Sequence, residues 1–369
     1  MERTVYGKMI IYKDNNNNFI ELFNPKNGFC IRGNSLDTGS EPRQRNFPEL
    51  IDMGIMGSCH VADLGICKRA GIDCYQAASK LKKPDMTYKD YCSIILQCKN
   101  RTFQVALGGA GDPNKHKFFT EMLKFTRENY IIPNYTTTGV NITDQEIEAT
   151  KQFCGAVAVS FYSRLKIINE KVVESFPETF NAIYRLLSAH CVVNIHFVLS
   201  RDTIDEAIYR LNNNLFPHGI NALIFILYKP VGLGIKEKML SHKKITLLLE
   251  TIAQKKFDFK IGFDTCCTPA IVMHPHTIAL NSVDFCEAAR FSMYIDSELK
   301  AYPCSFDCYK KQYGVSIKNS SIESAWNSNT FNKFRKIQDH SCIDCSKHYL
   351  CYGGCALDIG INICGIKGN

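Results

Sequence analysis

The last thirty residues constrain this chain more than any other part of it. They read Cys342-x2-Cys345-x5-Cys351-x3-Cys355, with Cys364 following, so five thiols fall within 23 residues. That density and regularity do not suit an ordinary apolar core. Thiolate is the ligand of choice for zinc and for iron–sulfur clusters. Such a segment is expected to fold around metal.

A second group lies near the other end of the chain. Cys59-x7-Cys67-x6-Cys74, followed by Tyr75, comes directly after an apolar run that reads as a strand. Three thiolates on one loop would leave the fourth iron of a [4Fe–4S] cluster without a protein ligand, the open position that binding and activating a small molecule requires. The alternative is three core cysteines. Gly65, Gly71, Asp63, Lys68 and Arg69 in the same stretch are poor core material and argue against it. Eighteen cysteines without an apolar N-terminal signal region favour metal binding in a reducing cytoplasm over a disulfide scaffold.

With 45% apolar and 22% charged residues the chain is globular, and no apolar stretch reaches the ~18 residues a membrane helix needs. The net charge of +8 comes from scattered lysines and arginines, as at Lys80–Lys83 and Lys236–Lys244. There is neither a long basic block nor an RNA-binding aromatic motif, so a solvated basic surface is expected rather than a nucleic-acid partner.

The chain divides into three by pattern. Residues 1–47 hold a small β-meander, with apolar runs Met9–Tyr12, Phe19–Phe23 and Phe29–Ile31 broken by Asn15–Asn18 and by Pro25-Lys26-Asn27-Gly28, then a linker over 35–47. Residues 48–263 alternate strands and helices. The strands are Leu50–Ile55, Phe103–Leu107, Ile131–Thr136, Ala156–Phe161, Val192–Leu199, Ala222–Tyr228 and Phe257–Phe263, with helices near 87–98, 115–129, 143–154, 178–190, 203–212 and 242–256. Thr143-x-x-Glu146 and Thr203-x-x-Glu206 read as capping boxes. Six or seven such units imply a parallel sheet rolled into a barrel or partial barrel, with chemistry at the C-terminal strand ends. Residues 264–369 are short, cysteine-punctuated segments.

Within this frame, Leu107-Gly108-Gly109-Ala110-Gly111-Asp112-Pro113 ends the second barrel strand, where glycines admit a ligand against the backbone and a carboxylate can hold an ammonium group. The C-terminal cysteines extend to Cys286 and to Tyr302-Pro303-Cys304. Seven thiols there, or eight if Cys266, Cys267 or Cys308 joins, suit two four-iron clusters or two zinc ions, and spacing alone does not separate them. Cys92, Cys98, Cys154 and Cys191 read as core. His274 and His276 fall in a proline-containing loop. His196, on the fifth strand, is a candidate proton donor if it points into the barrel.

These motifs together resemble a radical SAM enzyme with a C-terminal SPASM domain, over roughly residues 50–364. Cys286, Cys304, Cys342, Cys345, Cys351, Cys355 and Cys364 match that family's C-terminal cysteines in order. The helix from Ser321 to Trp326, followed by Phe331–Arg335, resembles the segment before its CxxC, with Trp326 a packing residue. Gly109–Pro113 resembles its GGEP-like motif, Thr138-Gly139 its TNG turn, Ser160 its ribose-contacting serine, and Pro230–Gly234 its adenine-lining segment. Four departures mark a divergent subfamily. The triplet is C-x7-C-x6-C where C-x3-C-x2-C is usual. Asp73 stands where an aromatic precedes the third cysteine, leaving Tyr75 as its substitute. Leu299 replaces the glycine before Cys304, and the motif acid is Asp112 rather than Glu.

The resemblance implies a partial (β/α)6 TIM-like barrel carrying a SPASM domain. Cys59, Cys67 and Cys74 would hold the SAM-binding [4Fe–4S] cluster, and Tyr75, Gly108, Gly109, Gly111, Asp112, Thr138 and Ser160 would contact S-adenosylmethionine. Cys342, Cys345, Cys351 and Cys364 would hold one auxiliary [4Fe–4S] cluster. Cys286, Cys304 and Cys355 would hold the other, its fourth site open or filled by Cys266 or Cys267. Asp307 and Cys308 fall where the family sometimes places a substrate-deprotonating acid. The implied activity is reductive SAM cleavage and hydrogen abstraction from a ribosomally made peptide. A flavodoxin- or ferredoxin-like electron donor is implied, together with a separate leader-binding protein, since the first 47 residues are too short for a winged helix. The alternatives are a radical dehydrogenase, a sulfatase-maturase-like enzyme, or a zinc-binding interaction protein.

Overall fold

The computed structural model describes residues 2–7, 9–15, 18–25, 29–34, 43–80, 82–168, 171–337 and 340–365. The expected turn at 26–28, Asn16 and Asn17 of the asparagine loop, and residues 35–42 of the linker lie outside the described residues. Among the described residues no helix is long and apolar enough to cross a membrane.

The N-terminal segment forms a four-stranded antiparallel sheet in the order β1 (Glu2–Tyr6), β2 (Met9–Asp14), β3 (Phe19–Phe23), β4 (Cys30–Gly33). In β2 and β3 every second residue is buried, the period-2 signature that makes them legible. β1 is exposed along its whole length, so no apolar alternation announces it. Arg45 fastens this sheet to the barrel. Fully buried, it lies 5.2 Å from the Tyr12 ring and 4.9 Å from that of Phe103, while its carbonyl accepts the Trp326 Nε1–H at 3.0 Å. Trp326 thus packs, as expected, and ties the C-terminal segment to the same point.

The main sheet has ten strands. Seven successive barrel strands pair in parallel: β5 (Leu50–Met56), β6 (Gln104–Gly109), β7 (Ile132–Thr137), β8 (Val157–Ser160), β11 (Val193–Leu199), β12 (Ala222–Leu227) and β13 (Lys260–Phe263). β13 lies at one edge of the ten-stranded order, so the barrel is partial. On the other side β14 (Ser292–Ile295) pairs parallel with β5, and β15 (Lys300–Tyr302) and β16 (Val315–Ser316) continue antiparallel. A hairpin, β9 (Leu165–Ile168) and β10 (Lys171–Glu174), follows β8 and carries no sequence signal that predicts it. Helices Tyr88–Cys98, Phe119–Glu128, Asp144–Phe153, Pro177–Ser188, Ile204–Asn213 and His242–Ala253 fall where the alternation places them.

The two capping boxes part company. Thr143 and Glu146 satisfy each other's backbone N–H groups. Thr203 makes no such cap; its hydroxyl donates to the Val198 carbonyl at 2.7 Å, and Glu206 is drawn away to the buried guanidinium of Arg210. A charge-assisted contact to arginine outweighs a neutral cap.

Alternation on β11 sorts its faces. Val193, Ile195, Phe197 and Leu199 are buried against the helices, while Asn194, His196 and Val198 face the lumen and keep accessible surface. Asp52 holds the same position on β5. At the seam, Gly109 (φ +101°) and Gly54 leave room for the Tyr294 hydroxyl; a Cβ on Gly109 would lie 2.8 Å from that oxygen and 2.8 Å from the Gly54 Cα. Gly54→Ala is expected to lower stability by about 1–3 kcal/mol through overpacking, with Tyr294→Phe restoring part of the loss. Thermal unfolding of the two single variants and the double variant checks this.

Candidate functional site

The loop after β5 gathers the first three cysteines. Cys59 caps a helical turn, His60–Asp63, and Cys67 lies in a second, Ile66–Arg69. The two turns bury Val61 and Ile66 against Val140, with Tyr162 and Phe176 alongside. Cys59, Cys67 and Cys74 lie within electrostatic reach of one another. Burial pushes the Cys67 thiol up to about 11, with the neighbouring thiols adding to the shift.

Two glycine loops close on this one. A Cβ on Gly111 would strike the Ser58 carbonyl, and one on Gly232 would lie 2.6 Å from the Cys74 carbonyl oxygen. Only backbone fits at those approaches. Gly108, by contrast, has open space where a side chain would be. The Leu233 N–H donates to the Cys74 carbonyl at 3.0 Å. Asp73 completes the clasp: it accepts from the Tyr228 hydroxyl at 2.9 Å and from Lys238 Nζ at 2.7 Å, and so anchors the loop after β12. The acid in the place of an aromatic therefore has a structural task.

Asp112 is 5% exposed, and both its oxygens accept from Thr138, from the backbone N–H at 2.9 Å and from the hydroxyl at 2.5 Å. His60 Nε2 stands 3.9 Å away. Tyr75 turns to the C-terminal segment, its ring 4.9 Å from that of Phe306. Ser160 pairs in register with His196.

In the lumen, Asp52 is enclosed by the barrel yet keeps accessible surface, and among the described residues no hydrogen bond or ion pair reaches it. Burial pushes its carboxyl up to about 7, helped by the charge of Glu287. His196 also faces inward, and burial lowers its imidazole to about 4, so it is neutral at physiological pH. The sequence singled out His196 but not Asp52, whose carboxylate at an inward position of the first strand was the available signal. Asp307 is fully buried, and its carboxylate accepts from the Gln312 and Tyr313 backbone N–H groups at 3.2 and 2.8 Å. It braces a turn.

Eight further cysteines line two cavities. One, of about 460 Å³, is lined by Cys266, Cys286, Cys304 and Cys355 together with Lys229 and Phe306. The other, of about 450 Å³, is lined by Cys342, Cys345, Cys351 and Cys364. Cys266, not Cys267, completes the first set. Cys267 turns its thiol to Asp264 at 3.3 Å. Burial raises all four thiols of the first cavity, Cys286 to about 12. Four thiolates around a single zinc ion at about 2.3 Å stand roughly 3.8 Å apart. Among the described residues no three cysteines bring their sulfurs within 4.8 Å of one another, and the group that does meet this limit is Glu21, Cys30 and Glu49. The thiol sets are spread for something larger than one ion.

Asp52→Asn tests the lumen acid. A carboxyl raised in the folded state costs stability as pH climbs from the ordinary aspartate range to about 7, and the amide removes that cost. The stability gain of the variant should therefore grow by up to about 2.5 kcal/mol from about pH 5 to about pH 8, read from melting temperatures. A gain independent of pH would show that the charge is not the cause.

Comparison with known proteins agrees with this arrangement. A family model for SPASM, an iron–sulfur cluster-binding domain, matches residues 286–346. No curated protein matches the sequence. Among solved structures, Streptococcus suis SuiB bound to its precursor peptide SuiA superposes with a TM-score of 0.69 at 14% identity, covering 96% of this chain and 95% of that one. SuiB bound to S-adenosylmethionine gives 0.68 at 15% identity over the same shares. AnSMEcpe with bound AdoMet and Cp18Cys peptide gives 0.59 at 16% identity, covering 84% of this chain and 89% of that one. The chain thus carries a SPASM iron–sulfur cluster-binding domain and shares the fold of SuiB and anSMEcpe.

Proposed function

We propose that the chain is a radical SAM/SPASM enzyme that modifies a peptide. The observation that carries this is the meeting of Cys59, Cys67 and Cys74 with the Gly108–Asp112 and Pro230–Gly234 loops at one end of a lumen whose inner wall includes Asp52, Ser160 and His196.

When bound, a [4Fe–4S] cluster supplies an electron to the SAM sulfonium, which releases a 5′-deoxyadenosyl radical able to take a hydrogen atom from an unactivated carbon. The chain's own residues hold and orient. Cys59, Cys67 and Cys74 are the three ligands of that cluster. Gly108 would present open backbone to SAM, while Gly109 and Gly111 let the same loop close against Gly54, Tyr294 and Ser58 and so shape the site. Asp112, braced by Thr138, would set the turn that receives the SAM amino group, Ser160 would contact its ribose, and Tyr75 packs between the first cluster loop and Phe306. Cys266, Cys286, Cys304 and Cys355 hold one auxiliary cluster, and Cys342, Cys345, Cys351 and Cys364 the other. The enclosed lumen positions the substrate and excludes water. Neutral His196 and the raised Asp52 are its proton-handling groups.

A peptide substrate is supported by the SuiB and anSMEcpe structures, which were solved with peptides bound. A separate leader-binding protein, a flavodoxin or ferredoxin donor and a cytoplasmic setting complete the proposal, with functional units at residues 1–47, 48–263 and 264–369.

Anaerobic reconstitution followed by incubation with SAM and dithionite tests it. About twelve iron atoms per chain are expected, with 5′-deoxyadenosine formed and then lost in Cys74→Ala. Zinc without iron or sulfide would overturn the proposal.

A further inference from the structure

The cavity lined by Cys266, Cys286, Cys304 and Cys355 also contains a buried cationic side chain. Lys229 follows β12 and Asp264 follows β13, so two adjacent strand ends deliver them together. Lys229 is 6% exposed. Its Nζ donates to Asp264 Oδ2 at 2.5 Å and to the Leu227 carbonyl at 3.0 Å, and lies 4.4 Å from the Phe306 ring centroid. The other Asp264 oxygen accepts from the Leu227 N–H at 3.2 Å and from the Cys267 thiol at 3.3 Å. The carboxylate is thereby held back among β12 and Cys267 while the ammonium lines the cavity with Cys266, Cys286, Cys304 and Cys355.

Burying an ammonium is expensive, and one carboxylate does not by itself make a buried pair favourable over apolar packing. Asp264 Oδ2 and the Leu227 carbonyl supply the buried ammonium with its polar partners, and the Phe306 ring faces it as well. Lys310 also lines this cavity but is exposed, where water screens it. Lys229 is therefore the buried cation of the set. A four-iron cluster on four thiolates is anionic, and each electron it accepts adds negative charge. Surrounding charge and hydrogen bonds are among the levers on its potential.

Provided that this cavity holds a four-iron cluster, as proposed above, we infer that Lys229 sets the potential of that cluster, raising it above the value that thiolate ligation alone would give. Asp264 aims the ammonium and partly offsets it. Lys229 is a positioning charge rather than a ligand, and its effect is on the electron affinity of the cavity's occupant.

The test is potentiometric titration of the full-length reconstituted protein carrying Cys59→Ala, Cys67→Ala and Cys74→Ala, so that the auxiliary couples alone are observed by electron paramagnetic resonance. Lys229→Met should lower the midpoint of one couple by about 59 mV or more, a tenfold change in a one-electron equilibrium. Asp264→Asn should move the same couple upward, Lys229→Arg should leave it near its original value, and the second couple should not respond. A purely structural ion pair would shift both variants alike or neither, and either result overturns the inference. If Lys229→Met does not retain its cluster, the direction of the Asp264→Asn shift decides alone. A protein whose first cavity takes zinc shows one couple fewer and fails the cluster assignment itself, a result distinct from two couples that do not move.

Discussion

The parallel pairing of β14 with β5 is the contact on which the arrangement of sites depends. Ser292–Ile295 lies in register with Leu50–Met53, so the cysteine-rich segment continues the barrel's own sheet. That register brings Tyr294 against Gly54 and Gly109, at the root of both the first cluster loop and the glycine loop. It also fixes Cys286, six residues before β14, and Cys304, two residues after β15, beside the ends of β12 and β13. Tyr75 and Phe306 pack with tilted rings across the same seam. A shift of one residue would turn each inward side chain outward and dismantle both sites together.

Burial of the thiols couples metal loading to folding. Cys266, Cys286, Cys304 and Cys355 are enclosed, and each is pushed toward the protonated form. As ligands of the proposed cluster they would be neutral before loading and would give up their protons on binding metal. Four anionic ligands in one enclosed pocket call for compensating charge, and Lys229 is where the chain places it. The ion pair costs desolvation, which the surrounding packing must offset. Its persistence at the cavity wall is most simply explained by what it does to the occupant.

Much of this was legible in the sequence, for identifiable reasons. The parallel strands carry apolar runs and the helices carry amphipathic spacing, so type and order could be read. β1, exposed on every residue, and the β9–β10 hairpin had no such pattern. Thr203-x-x-Glu206 has the letters of a capping box, yet Arg210 claims the glutamate because a buried guanidinium outbids a neutral cap. Local pattern cannot see a partner brought in by the fold. The same holds for Asp307, whose position after Cys304 suggested chemistry but whose carboxylate is taken by two backbone N–H groups. Asp52 and Lys229 escaped notice, and Asp73 stood out only as a departure from the pattern, because their meaning comes from enclosure and from neighbours distant in sequence.

The odd cysteine spacing shows how little a residue count fixes by itself. From Cys59 to Cys67 the chain advances eight residues, which would span roughly 27 Å if extended. Wound into helical turns at about 1.5 Å per residue, the same step shrinks to about 12 Å. The chain does wind it, into His60–Asp63 and Ile66–Arg69, and the added residues supply Val61 and Ile66 as an apolar plug against Val140. Asp73, in turn, uses its carboxylate to pin the loop after β12, through Tyr228 and Lys238, against the third cysteine. What an iron–sulfur loop requires is convergent thiols and a backbone held still around them. A short loop meets that requirement through its tight turn, and this longer one meets it with a small core of its own.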